Sequence, residues 1–193
     1  MEDVMIRPAT IKDMLEIAYI HKNVFSDHFI GMLPKYLISR FYQCYLKEEN
    51  IFLVKTDEAH TISGFILGGY SSMLDKCKGN FIKENIFSLV FSIIVTPKIY
   101  PLFFKRLKKH NEFKSSIPFS LLSIGVQEAF KGKGIAQQLI LQFEKTLRAQ
   151  NIYYYGLSVY RNNGRAINFY KKCNFWEEGE SDRLFHFYKE IEK

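Results

Sequence analysis

The hydrophobic pattern of this chain changes period repeatedly, and each change marks an element. Residues 4–7 read as a short strand stopped at Pro8, and Thr10 stands where a helix N-cap would. Behind it Met14, Leu15, Ile17, Ala18 and Val24 recur at helical spacing, and a second amphipathic stretch covers 34–46. Residues 51–56 and 61–70 read as strands around a polar Asp-Glu-Ala-His turn, which predicts an antiparallel hairpin. Gly64, Gly68 and Gly69 in the second strand predict a bulge or a close approach of backbone.

At residues 71–118 the rhythm breaks. This stretch is Lys-rich, aromatic and helical in pattern, with Pro97 and Pro101 as punctuation, and it reads as an insertion. Beyond it 118–126 form a buried strand and 127–134 a loop. Residues 135–150 then form a helix with Leu139, Ile140, Phe143 and Leu147 on one face. A further strand covers 152–160, Asn162 or Asn163 caps a short helix through Tyr170, and 175–178 with 184–189 make a closing hairpin. The alternation of strands and helices predicts the α/β class, in a single domain over 1–193.

Composition narrows the picture. Hydrophobic residues are 47% of the 193, aromatics 16% and charged residues 24%, so the chain has material for a core and is not disordered as a whole. Lys plus Arg number 27 against 20 Asp plus Glu, and the net charge of +7 favours anionic partners: phosphorylated cofactors, nucleic acid or membrane headgroups. Cys44, Cys77 and Cys173 form no Cys-x-x-Cys pair or Cys/His cluster, so neither a disulfide framework nor a metal site is expected, and a reducing cytoplasm fits. The opening residues carry two acids and no apolar core, so no secretory signal is expected. The most apolar stretch, 86–104, is interrupted by Pro97, Lys98 and Pro101, and its unbroken part is short of the ~20 residues of a membrane span.

Two constellations carry chemistry. Lys131, Gly132, Lys133, Gly134, Ile135 and Ala136 lie between a strand and a helix, where small residues let backbone N–H groups face an anion and the helix dipole assists. A pyrophosphate fits there. The spacing is neither the Gly-x-Gly-x-x-Gly of a dinucleotide fold nor a Walker A loop. Downstream, Val159, Asn163, Ala166, Phe169, Tyr170 and Phe175 stand in the run Val-Tyr-Arg-Asn-Asn-Gly-Arg-Ala-Ile-Asn-Phe-Tyr-Lys-Lys-Cys-Asn-Phe.

Taken with Val-Gln-Glu-Ala-Phe-Lys-Gly-Lys-Gly-Ile-Ala at 126–136, this run resembles the GNAT superfamily of acetyl-CoA-dependent N-acetyltransferases. In that family an Arg/Gln-x-x-Gly-x-Gly/Ala loop precedes a helix, and the next strand leads into Asn-x-x-Ala-x-x-Phe-Tyr. The resemblance is strong over 119–176, weaker over 4–70, and does not cover the insertion. Lys131 stands where the family usually has Arg or Gln. Asn174 replaces a frequent Gly, but Asn tolerates the left-handed conformation that Gly would supply.

The resemblance implies a single-domain, mostly antiparallel mixed sheet flanked by helices, and an enzyme that uses acetyl-CoA without a metal. It implies that the backbone of Ile124 and Val126 pairs with the pantetheine arm, that Lys131, Gly132, Lys133, Gly134, Ile135 and Ala136 wrap the pyrophosphate, that Gln137 adds a side-chain contact, and that Asn163 touches the cofactor. Tyr170 matches the tyrosine that protonates the departing thiolate. Its reference pKa near 10 lies above the ~8.5 of a thiol, which suits the role. The attacking amine must lose a proton. Glu128, Asp27, His21 and His28 are candidates for taking it, a water chain is another, and none is assigned. Cys173 has no neighbouring histidine in sequence, so direct attack on acetyl-CoA is preferred to an acyl-enzyme.

Three function classes follow. The first is acetylation of a small amine, with an amino sugar or nucleotide amino sugar ahead of polyamines and antibiotics, because a basic, aromatic insertion could meet an anionic acceptor. The second is acetylation of protein N-termini or lysines, which needs an open groove that the insertion would tend to obstruct. The third is a non-catalytic binding module using Lys105, Arg106, Lys108, Lys109 and Lys114 on nucleic acid or membrane. The first is expected, with no nucleic-acid partner. The apolar part of the insertion is expected to fold back onto the domain or to dimerise.

Overall fold

Along β2 (Ile51–Thr56) every residue is buried, which a strand achieves only when both faces of its sheet are covered. Ile51 and Leu53 enter one core while Phe52 and Val54 enter the other, as the two-residue period of a strand requires. The structure, a computed structural model, describes residues 5–100 and 113–192.

The sheet adds β1 (Ile6–Pro8), β3 (Ile62–Tyr70), β4 (Phe119–Val126), β5 (Tyr154–Tyr160), β6 (Trp176–Glu180) and β7 (Leu184–Glu190), in the order β1-β2-β3-β4-β5-β7-β6. Neighbours are antiparallel except β4 and β5, which are parallel. The fold is thus mixed α/β with a mostly antiparallel sheet, as expected. The first strand takes in Pro8, opposite Leu53, instead of stopping before it, because an edge strand tolerates a residue without an N–H.

On one face lie α1 (Met14–Val24), α2 (Phe29–Met32), α3 (Lys35–Gln43), α4 (Ser71–Glu84) and α5 (Ile86–Val95). The other face is covered by α6 (Ile135–Ala149) and α7 (Gly164–Lys172). Thr10 opens a 3-10 turn, Ile11–Asp13, before α1 begins. Asp13 receives the Thr10 N–H at 2.7 Å and both guanidinium nitrogens of Arg7 at 2.7 and 2.8 Å, which ties α1 to β1. Leu15, expected on the apolar face, is 67% exposed and points outward.

Helix α6 buries Leu139, Ile140, Phe143 and Leu147, the four residues its spacing selected. Gly68 allows that helix to come close: a Cβ there would stand 2.5 Å from the Phe143 ring, and the β3–β4 register shifts at Leu67/Gly68. Beneath α6 the Glu144 carboxylate accepts hydrogen bonds from Tyr155 at 2.6 Å and Lys189 at 2.7 Å, so its burial is compensated. After α7 the chain turns through Asn174 in the left-handed region (φ 62°), and Phe175 drops into the core before β6 begins at Trp176.

Where described, the insertion is helical from Ser71 through α4 and α5, continues with a 3-10 turn at Pro97–Ile99, and returns to β4 through irregular chain at 113–118. Asn85 between α4 and α5 accepts from Arg40 at 3.0 Å and donates to the Phe81 carbonyl at 2.9 Å. The cluster Lys105, Arg106, Lys108 and Lys109 lies outside the described residues.

The feature that positions the site is a split in the sheet. β4 and β5 pair only at Ser120 with Gly156 and Leu121 with Leu157. Beyond that point β4 stays on β3 as far as Val126, and β5 stays on β7 as far as Tyr160, so the two strands diverge. Among the described residues the edge of β4 from Leu122 onward has no strand neighbour on that side.

Candidate active site

Two cavities of about 420 Å³ each meet at the split. Both are lined by His21, His28, Leu122, Ser123 and Tyr160. The first opens between the diverging strands and is walled by Ile124, Val126, Asn163, Phe169 and Tyr170. The second lies toward the insertion, over Phe41, Tyr42, Phe81 and Leu89. A third cavity, about 440 Å³, surrounds the glycine-rich loop and shares Val126, Lys131, Ala136, Arg165 and Phe169 with the first.

Local conformation explains the loop. Gly132 (φ 80°) and Gly134 (φ 76°) occupy the left-handed region, which glycine enters without strain and which lets the chain turn tightly just before α6. The first amide of α6 to find an acceptor is Gln138, on the Gly134 carbonyl at 3.1 Å. The amides of Gly132, Gly134, Ile135, Ala136 and Gln137 have no acceptor among the described residues, and the space over Gly132 is open for 4 Å from a Cβ position. These unspent donors at a helix N-terminus fit a pyrophosphate.

The neighbouring lysines behave differently. Lys131 lines both cavities with its side chain, its ammonium paired with Glu128, while its own amide is spent on the Glu128 carbonyl at 3.2 Å. Lys133 lines none of these cavities. Its amide reaches the Phe130 carbonyl at 3.4 Å and its ammonium sits 5.1 Å over the Phe130 ring. Gln137 and Ile135 border the loop cavity.

Helix α7 carries the second group. Asn163 caps it, its side chain accepting the Ala166 amide at 3.1 Å, and it also lines the split. Tyr170 is 8% exposed, packed edge-on between Phe169 and Phe175 at 5.4 Å each. None of the hydrogen bonds among the described residues reaches its hydroxyl, and the residue lines the split. Burial, and secondly Cys173, raise its pKa, so at neutral pH it is a phenol that can only donate a proton. A purely structural tyrosine of this burial would normally have bonded its hydroxyl.

Cys173 is half-buried, lines none of these cavities, and its thiol is pushed up chiefly by burial, so it is a poor nucleophile. Glu128 is spent on Lys131. His21 is buried in α1 with Nδ1 2.7 Å from the Tyr42 hydroxyl, which in turn lies 3.0 Å from the Ser123 hydroxyl. Burial, then the nearby His28, hold the His21 pKa down to about 3, so its ring is neutral. His28 faces both cavities 4.7 Å from the Tyr160 ring, with Nε2 3.8 Å from Asp27. Burial lowers its pKa against the opposing pull of Asp27, so it too is neutral at pH 7 and can accept a proton.

Several lining residues escaped the sequence reading. Arg165 and Lys172 edge the loop cavity together with Asn168 and Phe169. Their spacing, i, i+3, i+4 and i+7, places them on one face of α7, a signal that was available. Tyr42, Ser123 and Tyr160 come from three separate elements, and no local pattern joins them. Among the described residues no group of three or more His, Cys, Asp or Glu could hold a metal, and no helix is long and apolar enough to cross a membrane.

Comparison with known proteins bears on this geometry. The fold matches PaiA N-acetyltransferase from Thermoplasma acidophilum, solved with coenzyme A, at a TM-score of 0.60 and 17% identity over 98% of this chain and 99% of that one. It matches Ard1 from Thermoplasma volcanium at 0.62 and 20% identity, covering 98% of each chain. The ribosomal-protein-S18-alanine N-acetyltransferase from Escherichia coli matches at 0.62 and 12% identity, covering 100% of this chain and 96% of that one. No curated protein sequence matches the chain. The model of the acetyltransferase (GNAT) family matches residues 21–175, a span that runs from His21 through the split sheet and the glycine loop to Phe175. The chain therefore belongs to the GNAT family, and is an acetyl-CoA-dependent acyltransferase.

Proposed function

We propose that this enzyme moves the acetyl group of acetyl-CoA to the primary amine of a small acceptor with a largely apolar body, by direct attack and within one domain spanning 1–193. The observation that carries the reading is the Tyr170 hydroxyl, unbonded and protonated, in the cavity between an anion-binding loop and an aromatic pocket. Bound acetyl-CoA supplies the reactive thioester. The free amides of Gly132, Gly134, Ile135 and Ala136, with Lys131, Arg165, Lys172 and the side chain of Gln137 around them, hold its phosphates. The open edge of β4 at Ile124 and Val126 takes the amide-bearing arm as a strand would. Asn163 keeps the start of α7 in place beside it, and Tyr170 donates to the leaving sulfur.

His28 takes the proton from the amine. It lies where the two cavities join, is neutral at pH 7, and has a side chain 27% exposed through which the proton can leave to water. His21 is locked to Tyr42 and stays neutral, a positioning group for Tyr42 and Ser123.

The acceptor pocket supports a different emphasis from an amino sugar. That expectation rested on the basic part of the insertion, whereas the part that lines the pocket supplies Phe81, Ile82 and Leu89, with Lys78 as its cation. An aromatic and aliphatic floor favours an amine with an apolar body, and Asp27, Lys78, Asn162 and Arg183 border it for a polar tail. A protein N-terminus is the second reading, favoured by the substrate named for the Escherichia coli enzyme of like fold. Free cysteines and use of acetyl-CoA suit the cytoplasm.

The test is thiol release from acetyl-CoA across aromatic and aliphatic monoamines, amino acids, polyamines, amino sugars, nucleotide amino sugars and short peptides. The proposal expects the highest kcat/KM for an apolar monoamine or amino acid. A peptide or sugar nucleotide preferred by about 10-fold or more would overturn the acceptor assignment.

A further inference from the structure

Helix α5 (Ile86–Val95) contains no charged residue, and among the described residues only one of its faces is spent on the core, through Leu89 and Ser92. On its outer face Ile86, Val90 and Ile94 are 44%, 47% and 61% exposed, and Phe87, Phe91 and Val95 are 88%, 64% and 55% exposed. Each trio is spaced four residues apart, so the two form parallel ridges with a groove between them, the surface that another helix fills by ridge-into-groove packing. Other exposed apolar side chains, such as Leu141 and Trp176, lie on different elements. A contiguous patch of this kind marks an interaction surface, because monomeric proteins rarely leave one uncovered.

We propose that the outer face of α5 is the interface of a homodimer, in which the α5 helices of two copies pack on each other about a two-fold axis. Self-pairing suits the chemistry. A face without charge meets its own copy without repulsion, and an isologous contact requires each ridge to fit the other copy's groove. The six side chains together with Ile82 expose on the order of 700 Å² per protomer, near the ~800 Å² per partner of a standard-size interface, and aliphatic and Phe content is what homodimer cores use. A lipid surface fits less well, since an interfacial helix couples its apolar face to a basic rim. Here α5 has no cation of its own: Lys83 before it is followed at once by Glu84, and Lys98 stands past its last turn, beyond Pro97. Ile82, 42% exposed on the preceding turn of α4, also lines the acceptor pocket, so the interface would adjoin the mouth of that pocket.

The experiment is sedimentation velocity on the full chain at about 1 to 50 μM, with and without vesicles of anionic phospholipid. The wild type is expected at twice the monomer mass. Phe87→Lys/Phe91→Lys is expected as a monomer with an unchanged circular dichroism spectrum, Phe87→Leu/Phe91→Leu as a dimer, and the distant Leu141→Lys as a dimer. A monomeric wild type at 50 μM overturns the proposal, whether or not it floats with vesicles. So does a dimer that survives the double Lys substitution. If the Lys pair disturbs folding, Val90→Gln/Ile94→Gln serves in its place, with loss of the dimer supporting the interface and retention overturning it. Mass is read without turnover, so failure here is separable from failure of the proposed activity.

Discussion

The two sides of the split sheet are built by different means. On the cofactor side the working groups are backbone amides at Gly132 to Ala136, an open strand edge at Ile124 and Val126, and side chains from one short helix, all within about fifty consecutive residues. On the acceptor side His28, Tyr42, Phe81, Ser123 and Tyr160 arrive from five separate segments. The first construction depends on conformation that glycine and a helix start dictate. The second depends on packing, so its chemistry can change with any one of the segments while the first stays constant.

Breaking the first side should have the largest effect. Gly134→Glu places a Cβ at a left-handed position and a carboxylate among unspent N–H groups, so CoA affinity measured by calorimetry is expected to fall about 100-fold or more, while the backbone strain lowers the melting temperature by a few degrees and leaves the protein folded. Undiminished affinity in the folded variant would move the phosphate site elsewhere. Tyr170→Phe comes next. It removes only an oxygen, so kcat is expected to drop about 10²-fold while CoA affinity stays within about twofold. Unaltered turnover would reduce Tyr170 to a packing residue.

The acceptor side is expected to respond more mildly. His28→Phe keeps a ring against Phe25 and Tyr160 but cannot take a proton. Because burial lowers the His28 pKa, with Asp27 opposing and His21 neutral beside it, the wild-type rate should rise with pH on a limb below 6.5 and then level. The variant should lose that limb and about 10-fold in kcat/KM at pH 7, with the KM for acetyl-CoA unmoved. A profile of unchanged shape would assign the proton to water.

The smallest effect concerns stability. His21 has a folded pKa near 3 against 6.5 for the free group, so between those values the unfolded chain binds a proton that the folded one refuses. Stability should therefore fall as pH drops from 6.5, by at most about 1.4 kcal/mol per unit from this residue. Urea melts at pH 6.5 and 5.0 should show the loss in the wild type and a smaller one in His21→Gln. Equal losses would mean that His21 titrates normally.

What was legible in the sequence follows the same division. The glycine-bearing loop at 131–136 ahead of a helix, the cap at Asn163 and the apolar face of α6 are local patterns, and each appears in the structure where its spacing placed it. Lys133 shows the limit of such reading: the motif includes it, yet its side chain rests on Phe130 and its amide is already spent. Leu15 shows another, since a helix register judged from apolar residues alone puts it inward whereas packing of Met14, Ile17 and Ala18 turns it out. The split between β4 and β5 had no sequence signal, because it arises from which strands pair over what length. The His21, Tyr42 and Ser123 hydrogen-bond chain spans α1, α3 and β4 and becomes visible only once those elements are assembled.

The central claim is that backbone groups on one side of the split, and not the insertion, capture the cofactor. Hydrogen exchange followed by mass spectrometry reads those groups directly. Adding CoA should slow exchange in peptides covering 122–126 and 132–138 and leave α5 peptides unchanged. Protection confined to α4 and α5, or none at 132–138 at saturating CoA, would contradict the account.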